Sequence, residues 1–204
     1  MRHSHATMSA SISDAQAPMF GSIFRFLIEI VFTLFGAALL IRAWMQAITM
    51  PRFNPLAPGI HRVTQWLVGP LEKVLPHRGR INWACLLATV IAAFVFIILN
   101  WLVTYGSLIP SSAWVVALAA SVFMAVRWAL NLIVWLTLIQ AVLSWVNPAA
   151  PMMPLLQTLT APLLNPVRRL LPNSTIDFSP LIVLVLAQVA IMLVAQLSVQ
   201  IFGF

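Results

Sequence analysis

The hydrophobic pattern divides the chain into four long apolar stretches, with shorter proline-containing segments between them. The four stretches are Phe20–Ile48, Ile81–Tyr105, Ala113–Trp145 and Phe178–Phe202. Each is long enough to cross a hydrocarbon layer, which requires about 20 mostly apolar residues. A spanning segment must satisfy its own backbone hydrogen bonds in lipid, and a helix does so. The pattern therefore predicts an all-α membrane protein with four transmembrane helices.

The segment from 147 to 180 is too apolar for a soluble loop and too rich in proline for a spanning helix. Its apolar side chains recur at the spacing of one helical face; they are Leu155, Leu159, Leu163, Val167, Leu170 and Leu171. Pro162 and Pro166 each remove a backbone donor, which predicts a bend or a break in the helix. We expect an amphipathic segment at the membrane surface that leads into the last spanning helix.

The first half of the chain repeats this plan. Three pairs of segments align: Gly69–Pro76 with Asn165–Pro172, Ile81–Trp83 with Ile176–Phe178, and Leu40–Ala43 with Leu138–Ala141. The chain is thus predicted to hold two tandem repeats, 20–105 and 113–204, each made of helix, interfacial amphipathic segment and helix. Residues 1–19 are predicted to form a disordered tail. Because each repeat holds two spans, we expect the repeats to be parallel in the membrane.

The second repeat carries a recognisable motif. Its sequences PLLNPVRRLLP (162–172) and IDFSP (176–180) resemble the signature of the YggT family, also called YlmG. The family consists of small integral membrane proteins with one or two such repeats, and the resemblance covers all but the N-terminal tail. The first repeat departs from it, with Glu72 where the second has Arg168 and Asn82 where it has Asp177. The resemblance therefore places any interfacial contact with an anion, lipid or partner at Arg168, Arg169 and Asp177.

Charge is scarce and unevenly placed. Charged residues make up 7% of the chain, against about 25% in soluble domains, and the formal net charge is +7. The basic residues concentrate in the two long connections, and the positive-inside rule puts those connections in the cytoplasm and both termini outside. There they face anionic lipid headgroups, which explains the charge without nucleic acid. The expected location is the bacterial cell inner membrane.

Two charged residues within the spans are expected to meet. The alignment of the repeats places Glu29 of the first opposite Arg127 of the second. A charge at mid-membrane costs about 2.5–3.5 kcal/mol on insertion scales, so both side chains should face protein or water. We expect a buried ion pair between them across the repeat axis. Such a pair could align the two halves or form part of an ion path.

Other residues within the spans indicate helix packing. Small residues recur every four positions in the third span, a spacing suited to close contact between helices; they are Ala117, Ser121, Ala125 and Ala129. Three polar residues, Asn131, Gln188 and Gln196, are expected to form interhelical hydrogen bonds.

The sequence indicates no enzyme, cofactor or metal site. It has no histidine within a span for a bis-histidine haem, a single cysteine, and no phosphate-binding glycine loop or paired carboxylates. The preferred function is a scaffold or assembly factor that binds a membrane-protein partner or a second copy. The resemblance implies a role in envelope and division processes or, as in plastid relatives, in cytochrome-complex maturation. The alternative is a small oligomeric channel or transporter subunit, for which the resemblance implies a link to osmotic tolerance and potassium balance.

Overall fold

The computed structural model describes residues 3–48, 57–75, 82–170 and 177–202, with side chains described from Gly21 onward. Within these ranges the chain is helical and contains no strand. Six α-helices and one short 3-10 turn at Ser111–Ala113 are present: α1 His3–Ala47, α2 Ala57–Val74, α3 Trp83–Tyr105, α4 Trp114–Val146, α5 Met153–Leu170 and α6 Ser179–Phe202.

Four of the helical segments are long and apolar enough to span a membrane. They are Gly21–Ala47, Trp83–Tyr105, Ser111–Val146 and Ser179–Phe202, so the four predicted spans are confirmed to within three residues at each end. The third is 36 residues long, which is about 54 Å of helix. That exceeds the roughly 30 Å hydrocarbon layer, and a helix of this length tilts or extends beyond it. Helix α1 begins at His3, inside the tail predicted to be disordered; disorder there stays a prediction.

Each half of the chain forms a three-helix unit. In the first, α1 packs against α3 and α2 contacts both; in the second, α4 packs against α6 and α5 contacts both. The halves meet where α4 packs against α3 and α1. Helix α3 has defined ends: the side chain of Asn82 accepts a hydrogen bond from Cys85 N, and Gly106 ends the helix at a φ of 63°. Glycine adopts that left-handed conformation without steric cost.

A buried indole joins the two halves. Trp128 of α4 is 4% exposed and packs edge-on against the ring of Phe96 in α3, with 5.9 Å between centroids. Its six-membered ring lies against Gly36 of α1, where an added Cβ would be 2.3 Å from Trp128 Cε3. A side chain at position 36 would occupy the space of the indole. The close approach of α1 and α4 therefore depends on this glycine.

Both amphipathic helices lie at the same end of the bundle. Near the end of α1, Arg42 donates a hydrogen bond to Thr64 of α2. Two residues later, Trp44 Nε1 donates to the carbonyl oxygen of Leu159 in α5, at 2.9 Å. Because both contacts involve the last turns of α1, α2 and α5 flank one end. Repeats that run in the same direction require this placement; their relation by a common axis stays a prediction.

Helix α5 is continuous through both prolines, so the helix is not broken there, and a bend stays a prediction. Pro162 and Pro166 are exposed, and the carbonyl groups that lose a donor can be solvated at an exposed surface. The buried face also differs from the predicted leucine stripe; its members are Met153, Leu156, Leu159, Thr160 and Leu164. Only Leu159 belongs to both sets, and Leu171 lies outside the described residues. Thr160 therefore faces the bundle together with Leu156, Leu159 and Leu164.

Candidate functional site

A buried arginine of α1 holds α2 against the spanning helices of the first repeat. The side chain of Arg42 is 2% exposed. Its Nη1 donates to Thr64 Oγ1 at 2.9 Å, and its Nη2 donates to Glu72 Oε1 at 3.0 Å. The Thr64 hydroxyl in turn donates to the Ile60 carbonyl oxygen at 2.7 Å. A buried guanidinium requires a counter-ion and hydrogen-bond acceptors. Helix α2 supplies the counter-ion and two acceptors, whereas Arg42 Nε has no partner among the described residues.

The same network reaches the start of α3. Asn82 Nδ2 donates to Glu72 Oε1 at 3.1 Å and to Gln46 Oε1 at 2.6 Å. Its Oδ1 accepts the N-terminal cap bond of α3 from Cys85 N. One polar cluster, centred on Glu72, therefore fixes the end of α1, the amphipathic helix and the beginning of α3 relative to one another.

The second repeat builds the corresponding contact without a charge. Gln140 aligns with Arg42 and is 4% exposed. The Thr160 hydroxyl, at the position that matches Thr64, donates to Gln140 Oε1 and lies 2.9 Å from the Leu156 carbonyl oxygen. A threonine on the amphipathic helix thus meets a polar side chain of the preceding spanning helix in both repeats.

Arg168 and Asp177 form an ion pair at the edge of this second contact. Arg168 Nε and Nη2 donate to Asp177 Oδ2 at 2.8 and 2.6 Å. Asp177 Oδ1 accepts from Ser179 N at 3.0 Å, at the start of α6. Burial alone would raise the pKa of Asp177, but the hydrogen bonds from Ser179 and Arg168 outweigh it and lower that pKa. Side chains of the pair are 45% and 43% exposed.

Two residues at aligned positions in the two repeats, Glu72 and Arg168, carry opposite charges and have different partners. In the first, Glu72 turns inward and neutralises the buried Arg42. In the second, Gln140 is neutral, and Arg168, which aligns with Glu72, turns instead to Asp177. The two repeats therefore satisfy their polar contacts with different sets of charged residues. This difference keeps the polar contact and changes the charge presented at the surface.

The outward faces of the amphipathic helices are both apolar and basic. On α2 the exposed apolar residues are Val63, Trp66 and Val74, at 53%, 67% and 78% exposure. Arg62 and Lys73 are exposed beside them, as is Arg169 on α5. Trp66 also stacks on Phe35 of α1, with 5.5 Å between ring centroids. This composition fits a helix that lies in the headgroup region of a bilayer.

A cavity of about 390 Å³ opens at the other end of the bundle. Arg25, Glu29, Asn100 and Arg127 are among its lining residues. Glu29 and Arg127 therefore lie on one cavity. Both are exposed, however, and within the described chain no ion pair joins them.

The contact between α1 and α4 explains why the predicted pair does not form. Gly36 is level with Trp128. Glu29 precedes Gly36 by seven residues, whereas Arg127 precedes Trp128 by one. At 1.5 Å per residue, this difference shifts Glu29 by about 9 Å along the axis relative to Arg127. The expected direct pairing is replaced by two charges on one cavity wall.

Comparison with known proteins bears on the repeats directly. The CCB3/YggT family model matches the chain twice, over residues 21–103 and 119–198. The chain belongs to the CCB3/YggT family. Each half of the sequence holds one of these matches, so the two-repeat prediction is confirmed.

Three relatives of this CCB3/YggT member are uncharacterised bacterial proteins. An uncharacterised protein YggT of Escherichia coli K12 is 37% identical over 174 residues, which cover 84% of this chain and 88% of the relative. A Vibrio alginolyticus protein is 33% identical over 81% and 89% of the two chains. An uncharacterised Pseudomonas aeruginosa protein is 30% identical over 76% and 80%. No solved structure matches.

The predicted small-residue face of α4 is only partly buried. Ala117 and Ser121 are 3% and 0% exposed, whereas Ala125 and Ala129 are half-buried. Over the second half of the ladder, the bulky Trp128 is the buried residue. The close contact there comes from a small residue on the opposite helix.

The three polar residues expected to bridge helices do not do so within the described chain. Asn131 Nδ2 donates to the Arg127 carbonyl oxygen of its own helix, at 2.9 Å. Gln188 and Gln196 are exposed on α6. The buried face of α6 is formed by Ser179, Val183 and Ala187, so Gln188 lies about 100° around the helix from that face.

Sequence reasoning missed the residues that anchor the amphipathic helices. The hydrophobic pattern singles out none of Arg42, Thr64 and Thr160 as an anchor. The signal was present: the alignment places Arg42 over Gln140, and Thr64 and Thr160 stand at the same distance before the aligned motif segments. Hydroxyls within a stripe otherwise formed by leucine and valine mark the side that faces the protein.

Proposed function

We propose that this protein is a non-enzymatic scaffold or assembly factor of the cell inner membrane. In this proposal, the two anchored amphipathic helices, α2 and α5, form a fixed cytoplasmic platform for lipid headgroups and a membrane-protein partner. The observation that carries it is the repeated buried contact, Arg42 to Thr64 and Gln140 to Thr160. These contacts use inward polar groups to hold each helix in place, and they leave the outward faces for binding.

The chemistry of the outward faces supports this proposal. Trp66 and Val74 are exposed apolar residues on α2, and Lys73 and Arg169 are exposed cations near the ends of the two helices. Cations at this level gain about 1 kcal/mol each from an anionic leaflet. A tryptophan among them is suited to either a headgroup layer or the centre of a protein interface. A rigid surface of this kind binds without the entropic cost of ordering a loop.

Site-specific photo-crosslinking in native membranes tests this function. A photoreactive residue at Gln65 or Gln157, both exposed, should give an adduct with one defined membrane protein. The same residue at Ser107, exposed at the other end of the bundle, is the matched control. We expect Arg169→Glu to reduce the adduct, because it reverses a charge on the platform. Lipid adducts alone from both amphipathic helices would contradict a partner-binding scaffold.

The cavity favours a second candidate function, a subunit of an oligomeric channel or transporter. It brings Arg25, Glu29 and Arg127 together among spanning helices, where charged residues commonly mark ion paths. Purified protein reconstituted in liposomes should then conduct ions, and Glu29→Gln or Arg127→Gln should change that flux. Flux equal to that of protein-free liposomes would exclude this candidate and leave the scaffold.

A further inference from the structure

The cavity at the end of the bundle opposite α2 and α5 is lined by two cations for which the described residues supply no counter-ion. Arg25 of α1 and Arg127 of α4 both line it, and both side chains are exposed. The ion pairs of the described chain join Arg42 to Glu72 and Arg168 to Asp177. Neither cavity arginine is therefore paired with Glu29, the one carboxylate among the lining residues.

The position of the cavity sets the environment of these charges. Its wall includes Ser198, from the last turns of α6, and four residues from the last turns of α3: Asn100, Trp101, Thr104 and Tyr105. Arg25 lies in the first turns of the spanning part of α1. The cavity thus opens at the end of the spans, where Arg25 lies, and extends inward to Glu29 and Arg127. Guanidinium groups within a span are stable when an anion or water meets them.

The uncharged part of the cavity wall provides a hydrogen-bond donor and aromatic surface. Trp101 lines the cavity, and its indole Nε1 is buried without a hydrogen-bond acceptor in the described chain. Phe96 and Phe123 supply apolar surface. Hydrogen-bond donors and cations beside aromatic rings suit a ligand that has an anionic group and hydrophobic chains.

We propose that this cavity binds a phospholipid of the outer leaflet through its phosphate group, with Arg25 and Arg127 donating to the phosphate oxygens. Guanidinium groups bind phosphate oxygens in a bidentate manner, which fixes orientation as well as charge. The glycerol and acyl chains lie against the aromatic wall. Glu29 disfavours a second negative charge and accepts hydrogen bonds, so it selects a headgroup with an ammonium group. The geometry therefore favours a phosphatidylethanolamine over a phosphatidylglycerol.

Lipid binding to the purified full-length protein in detergent tests this site. Native mass spectrometry would compare phosphatidylethanolamine, phosphatidylglycerol and phosphatidylcholine with identical acyl chains. The double variant Arg25→Gln/Arg127→Gln should bind phosphatidylethanolamine at least about tenfold more weakly, as expected for the loss of charge-assisted hydrogen bonds. The control Gln188→Ala/Gln196→Ala changes two exposed polar side chains of α6 that do not line the cavity, and it should leave this binding within about twofold.

The Glu29→Gln variant provides a readout that misfolding cannot imitate. Removing the carboxylate should shift selectivity toward phosphatidylglycerol, by about threefold or more relative to phosphatidylethanolamine. An equal loss of both lipids in the arginine double variant and in the α6 control would overturn the proposal. So would unchanged selectivity in Glu29→Gln.

A separate measurement distinguishes a lipid phosphate from a soluble one. Sodium phosphate, compared with sodium chloride at equal ionic strength, should leave the unfolding temperature of the detergent-solubilised protein unchanged, because a lipid also needs the aromatic wall. Stabilisation by phosphate that disappears in Arg25→Gln/Arg127→Gln, without selective lipid binding, would overturn the lipid and assign a soluble phosphate compound. The site lies at the opposite end from the platform, so its failure would leave the proposed function standing.

Discussion

Neutralising Glu72 should destabilise the protein strongly, and removing the charge of Arg42 should restore it. Glu72→Gln keeps an acceptor near Asn82 but leaves the guanidinium of Arg42, which is 2% exposed, without its counter-ion. Breaking a buried pair in this way typically costs about 3–5 kcal/mol. Because Glu72 is 28% exposed, solvent screening reduces the cost, and we expect a loss of about 2–4 kcal/mol in the free energy of unfolding.

The double variant Arg42→Gln/Glu72→Gln tests whether the loss of stability comes from the unpaired charge of Arg42. The glutamine introduced at position 42 would stand where Gln140 stands in the second repeat, and it can bond Thr64 as Gln140 bonds Thr160. We expect the double variant to lie within about 1 kcal/mol of the wild type, which gives a large coupling energy in the mutant cycle. The measurement is reversible unfolding of the purified protein in mixed micelles. A harmless Glu72→Gln, or a double variant as unstable as that single change, would refute the account of this cluster.

Three further changes probe the packing and the second repeat. Gly36→Ala should cost about 1–3 kcal/mol by overpacking, since the new methyl group meets a buried indole, whereas Gly21→Ala, with open space around it, should be nearly neutral in the same unfolding assay. Thr160→Val should lower the free energy of unfolding by about 1–3 kcal/mol, because it leaves the Oε1 atom of the buried Gln140 without this donor. The control is Thr158→Val, whose hydroxyl donates to Pro154 of its own helix, and it should change that free energy by less than about 0.5 kcal/mol. The pKa of Asp177 is lowered in the folded protein. The ionised carboxylate therefore stabilises the fold above the unfolded pKa of about 3.9, and this contribution is lost as the pH falls through the folded pKa. The difference in unfolding midpoint between wild type and Asp177→Asn should shrink on acidification from about pH 5 to about pH 3.

The spans were predictable because they depend on composition over long windows. Some 20 apolar residues in a row admit one structure in a bilayer, and the observed bounds follow the hydrophobic pattern. The Arg168–Asp177 pair was predictable for a similar reason. Its partners are nine residues apart, one near the end of α5 and the other just before α6, so local sequence brings them together.

The anchoring of the amphipathic helices could not be read in the same way. Leucines at helical spacing mark an apolar face, but both α2 and α5 have two neighbouring apolar faces. One packs on the bundle through Thr64 or Thr160, and the other meets the surface. Periodicity alone does not distinguish them, because the choice depends on tertiary contacts with Arg42 and Gln140.

The Glu29–Arg127 pairing failed for a different physical reason. Equivalent positions of two repeats lie at equal depth only when the repeats are related by a pure rotation about the membrane normal. The packing of Trp128 on Gly36 shifts α4 along α1, and a repeat alignment contains no information about such a shift. The sequence correctly brought both residues to the same region. The distance between their charges is set by the packing of a side chain outside the pair.

Cysteine labelling from each side of the membrane tests the central claim that both amphipathic helices occupy one face. In a Cys85→Ala background, single cysteines at Gln65 on α2, Gln157 on α5 and Ser107 in the opposite turn are all at exposed positions. A membrane-impermeant maleimide should label position 107 in intact spheroplasts, and positions 65 and 157 only in inverted vesicles. Labelling of positions 65 and 157 from opposite sides would contradict the account.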